Sequence, residues 1–419
     1  MSIPVLVLLG PTSWEGSFVA GLAHPASRVD VVRRCVDTAD LLAAADTGVA
    51  SVAIVGVDAP RLDGDVLARV IDSGVSVIAV TSRDDESAVD RMVAWGAEDV
   101  VAVNDRDLGQ TVTAAIAAVH RLTLRTSTAA VQDLDSTPRN GTSSSQDAAS
   151  VFVVWGPAGS PGRSSVAIGL ADEMSRAGRD TVLIDADTWA PSLALALGLA
   201  EDGAGLASAC RRALSGSLDE RSFESILRPL NDRLRVLTGI GRSGRWTEVR
   251  RSAMLAVIAR ARAICDAVVI DCGFSLESDE ELVFDTAAPR RNASTFVSLE
   301  QATDIVVVGL ADPIGLVRLV NGLSDLGELE LEGRRHVVAN RVRESMLGRR
   351  PNDAVADVLH RHAGLSSVWC IPDDSPGYDK AIREGCTLAE IAPDSPARSA
   401  IRSMADALSV PERALQLPA

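Results

Sequence analysis

Lysine is almost missing from this chain. Of 41 basic residues only Lys380 is a lysine, so a site that ordinarily relies on a lysine must here rely on arginine, whose planar, forked guanidinium is not equivalent to a point-charge ammonium. Aromatic residues are scarce at 3%, and the 47% of hydrophobic residues is chiefly Ala, Val and Leu. That mix excludes an aromatic-rich sandwich and favours helices layered on buried parallel strands. Cysteines are few, and Cys35, Cys210, Cys265, Cys272, Cys370 and Cys386 have no metal-type spacing; they read as reduced, mostly buried thiols of a cytoplasmic protein. A basic segment is also lacking. The net charge is −16, and residues 1–120 carry 17 acids against 8 bases, which disfavours strong nucleic-acid binding. The opening MSIPVLVLLG has no basic lead-in and an apolar run only as long as a strand, so neither a signal peptide nor a transmembrane helix is expected.

At 419 residues the chain suits two domains. The boundary is RTSTAAVQDLDSTPRNGTSSSQDAAS, polar and without hydrophobic periodicity, which gives domains at 1–120 and 151–409, a flexible linker at 121–150 and a tail at 410–419. Before the linker, PVLVLL, RVDVV, SVAIVGV, VSVIAVT and DVVAV alternate with helical stretches that end in glycine, as expected of a flavodoxin-like, doubly wound domain. After it, strands are expected at 151–155, 181–185, 234–238, 267–271, 304–309, 335–339 and 367–371, joined by right-handed crossovers into a second mostly parallel sheet.

In the first domain, VAIVGVDAPRLDG resembles the third strand and following loop of response-regulator receiver domains, with Pro60, Asp63 and Gly64 on the pattern. The phosphoacceptor position falls on Gly56 and the receiver's lysine position on Val103, and the first strand ends in LVLLGPT without an acidic pair for Mg²⁺. Phosphoryl transfer to aspartate needs those carboxylates. Asp58 is a fallback acceptor, although a surface acid is the simpler reading. The resemblance implies a pseudo-receiver used for protein contact.

The second domain opens on VVWGPAGSPGRSSVAIGLADEM, a strand, a glycine-rich turn and a helix. A phosphate cradle needs glycines that let backbone N–H groups face an anion, a helix N-terminus, a cation and a hydroxyl for Mg²⁺. Gly159 and Gly162 supply the turn around Ser160, Arg163 the cation, Ser164 the metal hydroxyl and Ser165 a second hydroxyl, while Pro161 removes one N–H. Downstream, an apolar strand ends in Asp185-x-Asp187, another in Asp271, and HVVANRVR ends a strand in Asn340. Carboxylates at the C-terminal ends of parallel strands would stand beside the cradle, where Mg²⁺ and an attacking water would be.

In this order the motifs over roughly residues 151–408 resemble the MinD/ParA family of deviant Walker A P-loop ATPases. The resemblance implies ATP and Mg²⁺ as cofactors, Ser164, Asp185 and Asp271 around the metal, Asp187 positioning the hydrolytic water, and Asn340 on the adenine edge. The family's signature lysine falls on Ala158 and the first loop glycine on Pro157, so weak or slow hydrolysis is expected, with a pseudo-ATPase scaffold as the alternative. Arg290 and Arg291, or Arg242 and Arg245, are candidate replacement cations, against solvated surface arginines. A pseudo-receiver joined to such an ATPase is similar to the TadZ/CpaE proteins of Tad/Flp pilus assembly and to the septum-site-determining, Ssd-like branch. That implies an ATP-favoured homodimer recruiting protein partners of the pilus, secretion or division machinery. SPARSAIRSMADALSV reads as a packed terminal helix, so membrane association is at most peripheral.

Overall fold

The computed structural model describes residues 2–82, 86–104, 107–132, 149–199, 204–277 and 289–409, which divide into two compact units. In the first, strands β1 (Ile3–Leu8), β2 (Val29–Arg34), β3 (Val52–Gly56), β4 (Ser76–Ser82) and β5 (Asp99–Val103) alternate with helices α1 (Glu15–Leu22), α2 (Thr38–Asp46), α3 (Gly64–Asp72), α4 (Glu86–Ala94) and α5 (Leu108–Gln132). Every pairing is parallel, in the order β2-β1-β3-β4-β5, the flavodoxin-like arrangement expected from the alternation. The central strand β3 is buried along its whole length, which is why it reads as an unbroken apolar run.

One boundary needs correction. The expected linker from 121 begins too early, because α5 continues unbroken to Gln132. Its Arg, Leu and Ala residues keep helical propensity past the point where charge and polarity suggested a break. The serine-rich remainder, 133–148, lies outside the described residues, as does the tail from 410.

The second unit contains β6 (Ser150–Trp155), α6 (Arg163–Arg176), β7 (Thr181–Ala186), α7 (Leu193–Ala196), α8 (Gly205–Leu214), α9 (Glu220–Glu224), β8 (Arg228–Pro229), β9 (Leu234–Leu237), α10 (Arg251–Ala263), β10 (Ala267–Cys272), α11 (Ala293–Glu300), β11 (Asp304–Leu310), α12 (Pro313–Gly327), β12 (Arg334–Val342), α13 (Glu344–Leu347), α14 (Pro351–Ala363), β13 (Trp369–Pro372), α15 (Ser375–Glu384), α16 (Leu388–Ile391) and α17 (Pro396–Leu408). The sheet order is β13-β12-β11-β6-β10-β7-β9-β8. All pairings are parallel except that of the two-residue β8 with β9, an edge strand too short to leave a sequence signal. All seven expected strands are present within two residues of their expected starts. The loop strand β6 therefore lies between β11 and β10, and β10 between β6 and β7, which brings the strand ends bearing the candidate acids next to the glycine-rich turn.

The terminal helix α17 starts at Ser395, whose hydroxyl accepts from the Arg398 N–H, with Pro396 in the first turn. It buries Ile401, Met404 and Leu408, and Ile401 lies so close to Gly169 of α6 that a β-carbon there would stand 3.0 Å from Cδ1. The apolar face of α17 is thus used in the core, as expected, and no described helix is long and apolar enough to cross a membrane.

Candidate functional site

Close approach shapes the turn between β6 and α6. A β-carbon on Gly156 would stand 2.2 Å from the Val308 carbonyl of β11, so only glycine lets the chain leave the sheet there. Gly159 and Gly162 have φ of +77° and +96°, the left-handed region that favours glycine, and Gly162 caps the start of α6. The Ser160 N–H returns to the Pro157 carbonyl at 3.2 Å, and the Ser160 hydroxyl is buried without a partner. Arg163 folds back over the turn, its Nη1 donating to the carbonyls of Gly156, Pro157 and Ser160, each at 3.5 Å. Three contacts at the limit of hydrogen bonding make a weak tether that an anion could outcompete. Ser164 and Ser165 follow in the first turn of α6, where the Ser192 hydroxyl donates to Ser164 Oγ at 3.1 Å.

Asn340, expected to read a base edge, is drawn into the turn. Its Nδ2 donates to the Pro161 carbonyl at 3.0 Å and occupies the space that a β-carbon on Gly162 would need. One amide proton is spent there; Oδ1 and the second proton are not spent among the described residues. The next residue, Arg341, has φ of +57° at a register shift between β12 and β13, a strained position that turns the strand end.

The acids gather on the neighbouring strand ends. Asp271 of β10 pairs in register with Asp185 of β7. Asp185 braces the following loop, its Oδ2 accepting the N–H groups of Ser192 and Leu193 at 3.0 Å each and its Oδ1 that of Asp187 at 3.3 Å. Burial, opposed by those amides, pushes its carboxyl up to about 7, and the Asp187 charge adds to the rise. With both oxygens so engaged, Asp185 is better placed to hold the loop than to face a metal.

Asp271 differs. Both its oxygens are buried and neither receives a hydrogen bond of good geometry, although the Ser164 hydroxyl is close by. Burial first, then the Asp185 and Asp187 charges, hold its carboxyl well above the usual range, against the Ser164 hydroxyl and the Arg163 charge. A buried, unpartnered carboxyl is costly and rare, and invites a cation or donor. Asp187 accepts the N–H groups of Trp189 and Ala190 on Oδ1 at 2.8 and 3.0 Å, and a β-carbon on Gly273, two residues past Asp271, would stand 3.2 Å from that oxygen.

The fastening of this loop leaves no signal in the sequence. The Trp189 indole donates to Asn292 Oδ1 at 2.9 Å, the Arg291 guanidinium covers the same ring at 3.6 Å, and Thr188 Oγ1 donates to the Arg291 carbonyl at 2.9 Å. Asn292 Nδ2 in turn donates to Ser275 Oγ and to the Glu277 carbonyl. Arg291 is thereby an aromatic-stacked residue, not a solvated one, while Arg290 and Arg242 are exposed and Arg245 is paired with Glu248 at 2.7 Å. The adjacent RRN and DTW triplets carry no periodic signal, because their contact is made only by the fold.

Among the described residues no cluster of three or more His, Cys, Asp or Glu side chains is arranged to hold a metal. Mg²⁺ in phosphate sites needs no such cluster: it keeps waters and takes one or two protein oxygens plus the ligand's phosphates. The orphaned Asp271 carboxyl and the neighbouring Ser164 hydroxyl fit that requirement. Beside Ser164 and Ser165 opens a mainly apolar groove of about 290 Å³, walled by Ile168, Leu195, Tyr378 and Ile382.

In the first unit, Asp63 caps α3 by accepting the Val66 N–H at 3.0 Å, and Gly64 begins that helix. Part of the receiver-like pattern is therefore explained by helix capping. Asp58 is exposed, and a β-carbon on Gly10 would stand 2.7 Å from its carbonyl oxygen, so the two loops meet over the strand ends.

No known family model matches the sequence, and no curated protein is significantly similar to it. Solved structures are. A ParA family ATPase from Chlorobium tepidum TLS is 19% identical over 62% of this chain and 99% of its own, with a TM-score of 0.50. The cell division ATPase MinD of Pyrococcus furiosus is 18% identical over 62% and 98%, with a TM-score of 0.49. The septum site-determining protein MinD of Pyrococcus horikoshii OT3, complexed with Mg-ADP, is 19% identical over 64% and 97%, with a TM-score of 0.48. At these identities the likeness is one of fold: an α/β fold of the ParA ATPase type.

Proposed function

We propose that the second unit binds ATP with Mg²⁺ in the turn between β6 and α6, and that nucleotide state controls its association with a second copy and with protein partners. The observation that carries this reading is the buried, unpartnered Asp271 carboxyl beside Ser164 at the mouth of a glycine-shaped turn. The loop N–H groups and the N-terminus of α6 would face the phosphates. Ser164 and Asp271 would hold Mg²⁺, which supplies charge neutralisation between the phosphates. Arg163 would leave its three long carbonyl contacts for a phosphate oxygen. Asp187, with Oδ1 fixed by two backbone amides, would orient a water through its other oxygen. Asn340 would offer its unspent amide atoms to the base.

The output would be an ATP-favoured homodimer that recruits partners of a pilus, secretion or division machinery, with the first unit, a pseudo-receiver, as a docking module. Slow hydrolysis would reset it, since Ala158 and Pro157 stand where a lysine and a glycine would accelerate the reaction. A nucleotide-free scaffold is favoured by one observation, the Arg163 guanidinium already folded onto the turn's own carbonyls.

Titration calorimetry of ATP·Mg²⁺ with size measurement separates the two. We expect micromolar-range binding, weakened tenfold or more by Arg163→Ala, and a shift to dimer with ATP that ADP does not produce. Absence of ATP or ADP binding at millimolar nucleotide would leave the scaffold reading standing.

A further inference from the structure

We infer that Arg318, on helix α12 and outside the glycine-rich turn, supplies part of the positive charge of the phosphate cradle from within the same chain. The inference rests on the ATP-binding reading above, and adds a residue that neither the turn nor the strand-end motifs contain.

The geometry is specific. A β-carbon on Gly159 would stand 2.0 Å from Arg318 Nη1, 3.0 Å from Cζ and 3.6 Å from Cδ. The guanidinium therefore lies directly on the backbone of the turn, over a glycine whose φ of +77° already disfavours a side chain. One helical turn further along α12, Gly322 receives the Pro157 ring, with a distance of 3.0 Å from a would-be β-carbon to ring carbons. Positions four apart share a helix face, so one face of α12 lies along the turn with a glycine at one contact and an arginine at the other. The helix is held firmly in that place. Asp312 caps it by accepting the Gly315 N–H at 2.7 Å, Pro313 opens its first turn, and Leu316 and Leu319 are buried.

Arg318 is also available. It is exposed, and among the described residues it makes no hydrogen bond or ion pair. The other arginines near the site are engaged, Arg163 with the turn's carbonyls and Arg291 with the Trp189 ring. A chain of net charge −16 needs local cations to receive a polyphosphate, and the exposed Ala158 beside Gly159 offers none. A fork of N–H donors lying on the cradle suits phosphate oxygens, and its effect should rise with the charge of the phosphate chain.

The test is calorimetry of ATP, ADP and AMP with Mg²⁺ on the full chain, comparing wild type, Arg318→Ala and Arg318→Lys, with thermal melts to show that each variant folds. We expect Arg318→Ala to weaken ATP about tenfold or more while barely changing AMP, and Arg318→Lys to recover part of the loss. Equal ATP affinity in wild type and Arg318→Ala, or an equal loss for ATP and AMP, would overturn the inference and leave the ATP reading intact. A wild type without ATP affinity would remove both. Mixing Arg318→Ala with Arg163→Ala tests the same-chain assignment: recovered ATP binding in the mixture would mean that Arg318 serves a second copy's turn, and would overturn it.

Discussion

Pro157 packs its ring against the bare α-carbon of Gly322, with 3.0 Å to the place where a β-carbon would stand. This contact seats α12 on the turn and replaces the freedom of a loop glycine with a fixed wedge. Gly322→Val should push the helix away. We expect a loss of about 1–3 kcal/mol in urea unfolding and weaker ATP binding than Gly322→Ala shows, since two further carbons must enter a closed contact. An unaltered unfolding midpoint would mean that the helix and turn are not in contact.

Asp271→Asn separates binding from folding. Removing a buried carboxyl that has no hydrogen-bond partner should stabilise the nucleotide-free protein by about 1–3 kcal/mol while abolishing Mg²⁺-dependent ATP binding. Differential scanning calorimetry with and without ATP·Mg²⁺ reads both effects. A variant less stable than wild type and still binding ATP·Mg²⁺ would contradict both parts.

Trp189 reports on the loop that holds Asp187, because its ring is covered by Arg291 and its N–H is fixed by Asn292. We expect ATP·Mg²⁺ to change tryptophan emission in wild type but not in Trp189→Phe. Arg291→Ala should cost about 0.5–2 kcal/mol and raise quenching of Trp189 by acrylamide. Identical responses in wild type and Trp189→Phe would show a loop indifferent to nucleotide.

Far from the site, buried Asp304 accepts from His336 Nε2 at 2.8 Å and from Arg334. Burial acts to raise its carboxyl, but the His336 and Arg334 bonds outweigh it and hold the group below the usual range. A carboxyl lowered on folding stabilises the folded state above its unfolded value, about pH 4, and loses that contribution as pH falls through its folded value. Asp304→Asn should therefore cost about 1.5–3 kcal/mol at pH 7, with the gap from wild type closing below about pH 4. Urea unfolding across pH would show a constant gap if the pair contributed nothing.

The strands were legible because each buried parallel strand is a short apolar run bounded by polar residues or glycine, and Asp185, Asp187 and Asp271 were legible because acids ending such runs are conspicuous. Arg318 was not. It sits in an ordinary amphipathic helix, and only the crossing of α12 over the turn gives it a neighbour in Gly159. The Trp189–Arg291–Asn292 fastening was hidden for the same reason, being a contact between loops about a hundred residues apart. Asn340 was found, but its bond to Pro161 was not, since a side chain's choice between a base and a backbone carbonyl depends on distance.

The first unit offers a restoration test. Receiver-like patterning puts the phosphoacceptor at Gly56, so Gly56→Asp is the obvious attempt to recover phosphorylation. A β-carbon there would come within 3.3 Å of the Gly10 nitrogen and the Leu9 α-carbon, and Gly10 itself is closed against the Asp58 carbonyl. The cavity at these strand ends, lined by Thr12, Trp14, Asp58 and Thr81, holds only about 100 Å³. An added carboxylate would meet no neighbouring acid on Leu9 or Gly10 with which to bind Mg²⁺, and phosphoryl transfer to aspartate depends on that metal. Gly56→Asp should accordingly lose about 1–3 kcal/mol of stability and gain no phosphate from acetyl phosphate with Mg²⁺ by intact-mass measurement. A phosphorylated Gly56→Asp protein would show that the pocket still carries its chemistry and that the pseudo-receiver reading is mistaken.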